Sequence, residues 1–566
     1  MKRHVRDNYF VVGEGILTRD DKHKHICQRP STEAELRKFR FSRLGPKGQA
    51  ISQELRKALA EAMTTAQNQP DSDSPKIPAG FTYLGQFIDH DLTFDKTARA
   101  LGEHVNVDEL VQGRSPALDL DSLYGRGPND AEDAKFYSDG IRLKMGVTAA
   151  TPFPDSGANR DLEGFDLPRV GFGSKKSERR LALIPDPRND ENLAVAQIHL
   201  AFIRFHNRVV DQLALAGIPS ADLFNKAREL VVKHYQWMIR QDFLPRLIDQ
   251  ATVDDVFTHG RKFFEVSQLS HSDQAKQSYM YLQPGDMPTM PIEFSVAAYR
   301  LGHSMIRGAY QWNRVFQAAG PGPIASLDLL FTFSGTSGIL SPDGDLNDPE
   351  SGSFERLPTN WIADFRRLFD FAEAGRNDLT VDEARFNLAK RIDTLLVDPL
   401  QQLPPGSFGG RDTSPTPLDP ERNLAFRNLT RAEMVELASG QQMASMLEIA
   451  PLTADQILNG NGGVSLSGLP EEERDILTSK TPLWFYILRE AEFNRGQLAG
   501  VGARIAAEVF HRAMEGSQTS ILRDPSWRPS LVPAGGQSLP PNTFRMVDLL
   551  LFAFEDKGEL LNPLGD

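Results

Sequence analysis

The sequence predicts a mainly α fold with little β. Three observations carry that expectation: apolar residues recur at helical spacing over long windows, strand-like alternation is weak everywhere, and clusters rich in Pro, Gly and Asp separate the periodic stretches.

Taken in order, residues 1–45 are mixed and unperiodic, with a basic cluster from Arg37 to Arg43, and read as an arm laid over a body. The first clear helix spans Ile51 to Ala66, where Ile51, Leu55, Leu59 and Met63 recur every fourth residue. A polar loop over Gln67–Pro78 then delivers the chain into Gly85-Gln86-Phe87-Ile88-Asp89-His90-Asp91-Leu92-Thr93. From Glu191 to Leu215, Val195, Ile198, His199, Phe202, His206, Val209 and Leu213 share one face. Histidines on such a face read first as hydrogen-bonded core residues. A second long helix is expected over Ala221–Asp242, with others at Val296–Ile306, Trp361–Ala372 and Leu498–Met514. The Gly-, Pro- and Asp-rich stretch from about 320 to 405 reads as a surface insertion. Its Asp343-Gly344-Asp345-Leu346-Asn347-Asp348 run lacks the flanking helices and closing glutamate of a helix–loop–helix calcium site. No linker or repeat divides the chain, so the expected organisation is an arm and first helix over 1–78 packed on one large domain over 79–566.

With 566 residues, 40% of them hydrophobic and 25% charged, the chain can bury a large core. A net charge of −13, with Lys and Arg scattered, argues against a nucleic-acid surface. The single cysteine, Cys27, excludes an intramolecular disulfide. No segment approaches the ~20 apolar residues of a membrane span. The basic start, Met1 to Asn8, is not followed by a signal-peptide apolar run, so the expectation is a soluble protein, cytoplasmic or exported by a non-classical route.

Two motifs call for chemistry. In the first, His90 stands between Asp89 and Asp91 directly after an apolar run, where charge is normally avoided. In the second, Ser115-Pro116-Ala117-Leu118-Asp119-Leu120-Asp121 alternates carboxylates along a short loop, offering the hard oxygen ligands that calcium takes. Taken alone, such an Asp-x-Asp pair is a turn with two solvated acids.

Five ordered blocks, from about Phe81 to Arg431 and more loosely to Met514, make the chain resemble the animal-type haem peroxidases of the peroxidase–cyclooxygenase superfamily. The absence of a signal peptide and of disulfides is similar to what a prokaryotic member would show. The resemblance implies a haem b held between central helices of a single large domain. On the distal side it implies His90 as the proton-transferring base, Gln86 beside it holding water or a halide, and Arg188, from Asp186-Pro187-Arg188-Asn189-Asp190-Glu191-Asn192, as the catalytic cation. Asp89 and Glu191 resemble the carboxylates that form esters to the haem. Asn192 stands where a sulfonium-forming methionine occurs in myeloperoxidase. Tyr299-Arg300-Leu301-Gly302-His303-Ser304 resembles the proximal block, making His303 the iron ligand, with Arg300 close to the haem. Asn428 resembles its hydrogen-bond partner and Arg431 a propionate contact. Asp91, Ser115, the Ala117 carbonyl, Asp119 and Asp121 resemble a calcium site.

The implied activity is reduction of hydrogen peroxide with oxidation of halide, thiocyanate or small aromatic donors. A base titrating near neutrality and a permanently charged arginine suit O–O cleavage. An axial imidazole oriented by an amide tunes the iron. Two alternatives stay open. The superfamily includes fatty-acid dioxygenases with a radical tyrosine three residues before the proximal histidine. Here that position is Arg300, with Tyr299 expected on another helix face. Some relatives act in cell attachment, so a haem-binding adhesion protein is the other.

Overall fold

The structure is a computed structural model. It describes residues 41–65, 75–95, 101–151, 158–266, 287–403, 422–533 and 542–566, residues 97 and 285, and the backbone of three short strands within the first 28 residues. Helix dominates. Among the described residues no strand exceeds five residues, and strands occur as one three-stranded antiparallel sheet over Tyr9–Gln28 and three two-stranded pairs. Residues 67–74 of the loop expected at Gln67–Pro78 and much of the arm lie outside the described residues.

Eight helices position the site: α1 (Gln53–Thr65), α2 (Gly80–Leu92), α3 (Leu193–Leu215), α4 (Ser220–Met238), α5 (Leu424–Met434), α6 (Leu483–Phe493), α7 (Gly500–Glu515) and α8 (Met546–Ala553). α2 is buried on nearly every face, which marks a central helix. Its start lies so close to a neighbouring turn that a Cβ on Gly80 would sit 2.7 Å from the Leu368 carbonyl oxygen. α3 packs across α2, α4 and α8, while α1 packs on α5. Phe87 of α2 stacks on Phe202 of α3 at 4.5 Å and meets Tyr235 of α4 edge-on.

Three expectations change. Val296–Ile306 is not one regular α-helix: a π turn over Glu293–Ala297 runs into a 3₁₀ turn over Ala298–Leu301 and a short α turn over Gly302–Met305. The residues ahead of it are tied to the arm, since Phe41–Ser42 pairs with Met290–Pro291 and the Glu293 carboxylate accepts the Leu44 and Gly45 amides. Trp361–Ala372 is a series of 3₁₀ turns, because Asp364 and Asp370 accept the amides of Arg366 and Ala372 and so cap each turn locally. The 320–405 stretch is no surface insertion over most of its described length. Leu340, Leu357, Trp361, Phe365, Phe369 and Phe371 belong to the common hydrophobic core, while Asp343, Asp345 and Asp348 stay exposed. Its apolar residues are spaced for turns, so helical periodicity does not reveal them.

Candidate active site

Two cavities meet inside the body, one of about 220 Å³ and one of about 650 Å³. Asp89, His90, Glu191, Arg300 and Leu424 line both. His303 and Gln86 line the smaller one, and Arg188, Asn428 and Arg431 the larger.

The distal wall is the last turn of α2 facing the turn Pro187–Asp190 that leads into α3. His90 is buried, and its Nδ1 lies 2.9 Å from Asn189 Oδ1. Asn189 Nδ2 in turn donates to His199 Nδ1 at 2.9 Å, so the amide oxygen is the end that accepts from His90. His90 Nε2 therefore keeps its lone pair, 4.0 Å from Glu191 Oε2. Burial, with Arg188 nearby, lowers the His90 pKa to about 3, so the ring is neutral at physiological pH.

Arg188 is held from three sides. Its Nε and Nη2 donate to the two oxygens of Asp186 at 3.1 and 2.7 Å, Nη2 also donates to the His90 carbonyl at 3.0 Å, and the guanidinium lies 4.0 Å above the Phe94 ring. Asp186 is buried and also accepts from Arg114 Nε at 2.8 Å. Burial alone would raise its pKa, but Arg114 and Arg188 hold it well below the usual carboxylate range. Asn189, Asp186 and Arg114 were not singled out from the sequence. The available signal was Asp186 ahead of Pro187-Arg188, an N-cap pattern realised here by Asp186 Oδ1 accepting the Arg188 amide.

Asp89 and Glu191 both stand on the shared wall. Burial raises both acids, Glu191 to about 8, against the opposing pull of Arg188. Thr93 Oγ1 donates to Asp89 Oδ1 at 3.1 Å. Of the two histidines on α3, His206 is a core residue, taking the Tyr124 hydroxyl at Nδ1 and donating from Nε2 to the Ile141 carbonyl. His199 supports the distal wall through Asn189.

On the proximal side, Asn428 on α5 bridges two residues of the irregular turn. Its Oδ1 accepts from Arg300 Nη1 at 2.8 Å, and its Nδ2 lies 2.9 Å from His303 Nδ1. Among the described residues His303 Nε2 has no protein partner. Trp484 of α6 meets the His303 ring edge-on and donates to the Arg300 carbonyl at 3.2 Å. Arg431 lies at the larger cavity, 3.7 Å from Asp95. Tyr299 does not turn away from the site: the change from π to 3₁₀ winding brings it to the same cavity as Arg300 and His303.

Asp91, Ser115, Ala117, Asp119 and Asp121 come together beneath α2. Ser115 and Leu120 amides donate to Asp121 and Asp91, and Ser517 donates to Asp119. No trio of His, Cys, Asp or Glu among the described residues stands ready-made for a metal ion. The residues nevertheless suit a cation: Asp121 Oδ1 is buried without a hydrogen-bond partner, and burial together with Asp121 and Asp119 drives the Asp91 pKa well up.

The family model for animal haem peroxidases matches residues 97–328, a span holding the Ser115–Asp121 loop, the Arg188 turn and His303. Over that span, about two fifths of its length, the chain is similar to the animal haem peroxidase domain. The chain is 30% identical over 147 residues to a peroxidase-like protein of Margaritifera margaritifera, covering 26% of this chain and 16% of the relative. It is 23% identical over 255 residues to a peroxidasin homologue of Caenorhabditis elegans, covering 42% and 17%. These matches thus span about a sixth of each relative's length. In fold, the chain is similar to peroxidase A from Dictyostelium discoideum, with a TM-score of 0.51 at 15% identity over 85% of this chain and 88% of the other. No helix among the described residues is long and apolar enough to cross a membrane.

Proposed function

We propose that this chain is a haem peroxidase that reduces hydrogen peroxide while oxidising a small anionic or aromatic donor. The observation that carries the reading is the pairing of a neutral buried base, His90, beside a fixed cation, Arg188, with a second imidazole, His303, whose Nε2 has no protein partner among the described residues, around two cavities that share five lining residues.

The residues fit a haem b. His303 Nε2 would hold the iron; with Asn428 Nδ2 donating to Nδ1 the ring proton sits on Nε2, so ligation would require that proton to move to Nδ1 and the Asn428 amide to turn its oxygen from Arg300 to His303. Arg431 would meet a propionate, and Asp89 and Glu191 would reach the macrocycle edge and form esters. When bound, the haem supplies the electrons that reduce peroxide and recovers them from the donor.

The chain's own groups manage the proton and the charge. His90 Nε2, unprotonated because Nδ1 carries the proton to Asn189, takes the proton from the nearer peroxide oxygen and returns it to the departing one. Arg188 stabilises the negative charge on the departing oxygen, and Asp186 keeps its guanidinium from swinging away. Asp91, Ser115, Ala117, Asp119 and Asp121 would hold a calcium ion that clamps the backbone next to His90.

Absorption spectroscopy with steady-state kinetics tests the reading. Haem-loaded wild type should show a Soret band that changes on peroxide addition, and His90→Ala should lose about 10²- to 10⁴-fold in peroxide turnover while retaining the haem. After peroxide treatment, haem should resist acid–acetone extraction, as ester bonds require. A bound haem that peroxide leaves unchanged in wild type would move the chain to a binding role.

One observation favours a second reading, oxygenation of a fatty-acid-like substrate. The Tyr299 hydroxyl is buried without a hydrogen-bond partner and lines a cavity walled by Phe243, Leu247, Phe331 and Leu400. Oxygen uptake with linoleate exceeding peroxide turnover would put this reading first.

A further inference from the structure

Asn192 joins two elements of the site. Its Oδ1 caps α3 by accepting the Val195 amide at 3.0 Å. A backbone N–H can only donate, so this bond fixes which end of the Asn192 amide is oxygen. The nitrogen end then donates to Gln86 Oε1 at 2.9 Å. With its oxygen taken, Gln86 is left with its amide nitrogen, which has no partner among the described residues, on the wall of the cavity that His90 also lines.

An unrestrained glutamine presents either end of its amide by turning about its last torsion, and such a side chain would serve donors and acceptors alike. Here one unambiguous donor, the Val195 amide, sets Asn192, and Asn192 sets Gln86. A flipped Gln86 would face nitrogen to nitrogen across 2.9 Å.

We infer that Asn192 is a positioning residue that locks the Gln86 amide with its nitrogen toward the cavity, and so sets the hydrogen-bond donor through which Gln86, by the resemblance, would hold a small anion beside His90. The inference rests on the peroxidase reading for the identity of the cavity. It does not rest on that reading for the orientation of Gln86.

Two variants keep an oxygen for the Val195 amide, so α3 stays capped. Asn192→Asp replaces the donor with a carboxylate oxygen, which draws the Gln86 nitrogen away and turns its carbonyl into the cavity. Asn192→Ser keeps the cap and leaves Gln86 unheld. Bromide is the probe, titrated by the Soret shift of haem-loaded protein and located by anomalous scattering in crystals of haem-free protein.

Asn192→Asp should raise the bromide dissociation constant by at least about tenfold, the loss of one hydrogen bond to a charged group. Asn192→Ser should raise it about twofold, since half of a freely turning amide remains competent. In a Gln86→Leu background the effect of Asn192→Asp should largely vanish, whereas an effect of added charge alone would persist. Equal losses in both backgrounds, or unchanged binding in Asn192→Asp, would overturn the inference. A chain that takes up no haem would sink the peroxidase reading and leave this one to the crystals. Bromide density beside Gln86 in wild type but not in Asn192→Asp supports it, and density in both or in neither overturns it.

Discussion

Glu191 shows how a single side chain carries the tension of this site. Burial raises its pKa from 4.5 to about 8, outweighing Arg188, and Asp186 and Asp89 push the same way. An acid raised above its unfolded value stabilises the fold while protonated. That contribution is complete below the unfolded value of 4.5 and is lost as pH rises through about 8. Glu191→Gln stays neutral, so haem-free wild type should lose melting temperature relative to this variant between about pH 5 and pH 8.5. A difference independent of pH would remove the argument. At this scale the sequence was informative where residue type limits chemistry: a histidine between two aspartates, an arginine after Asp-Pro, a histidine after Arg-Leu-Gly. Asn189 and Arg114 are ordinary polar residues with no spacing signal, and only contact with His90 and Asp186 gives them a role.

Among the elements, α3 is legible because its apolar residues follow one helical period, whereas α2, which no side chain caps at its start, is read from the sequence only as a chemical motif. Their junction is an aromatic stack, Phe87 on Phe202. Phe87 is fully buried one turn from His90, so Phe87→Ala should destabilise the fold by about 3–5 kcal/mol in denaturant titration. A loss under about 1 kcal/mol would show that the α2–α3 contact is not a rigid support. The proximal segment and Trp361–Ala372 were misread as regular helices. Local periodicity cannot report a π turn anchored by Glu293 to the arm, or side-chain caps that restart the chain every few residues.

Over the whole molecule, the loop beneath α2 brings buried acids together directly behind the base. If calcium holds them, a chelator should lower the melting temperature by several degrees and Asp121→Ala should abolish that response in calorimetry. An ion at about 100 times its dissociation constant contributes about 3 kcal/mol to the folded state. A wild-type transition unmoved by chelator would exclude the ion.

What the sequence by itself determined is the mainly α class, the long helices and the residue types at the site, since periodicity and side-chain chemistry are local properties. Which amide orients which group was decided by the tertiary structure alone. His90 and Asn189 are 99 positions apart, His303 and Asn428 125, and Gln86 and Asn192 106. A hydrogen bond forms only when packing brings its two ends within about 3 Å, and no local pattern encodes that distance.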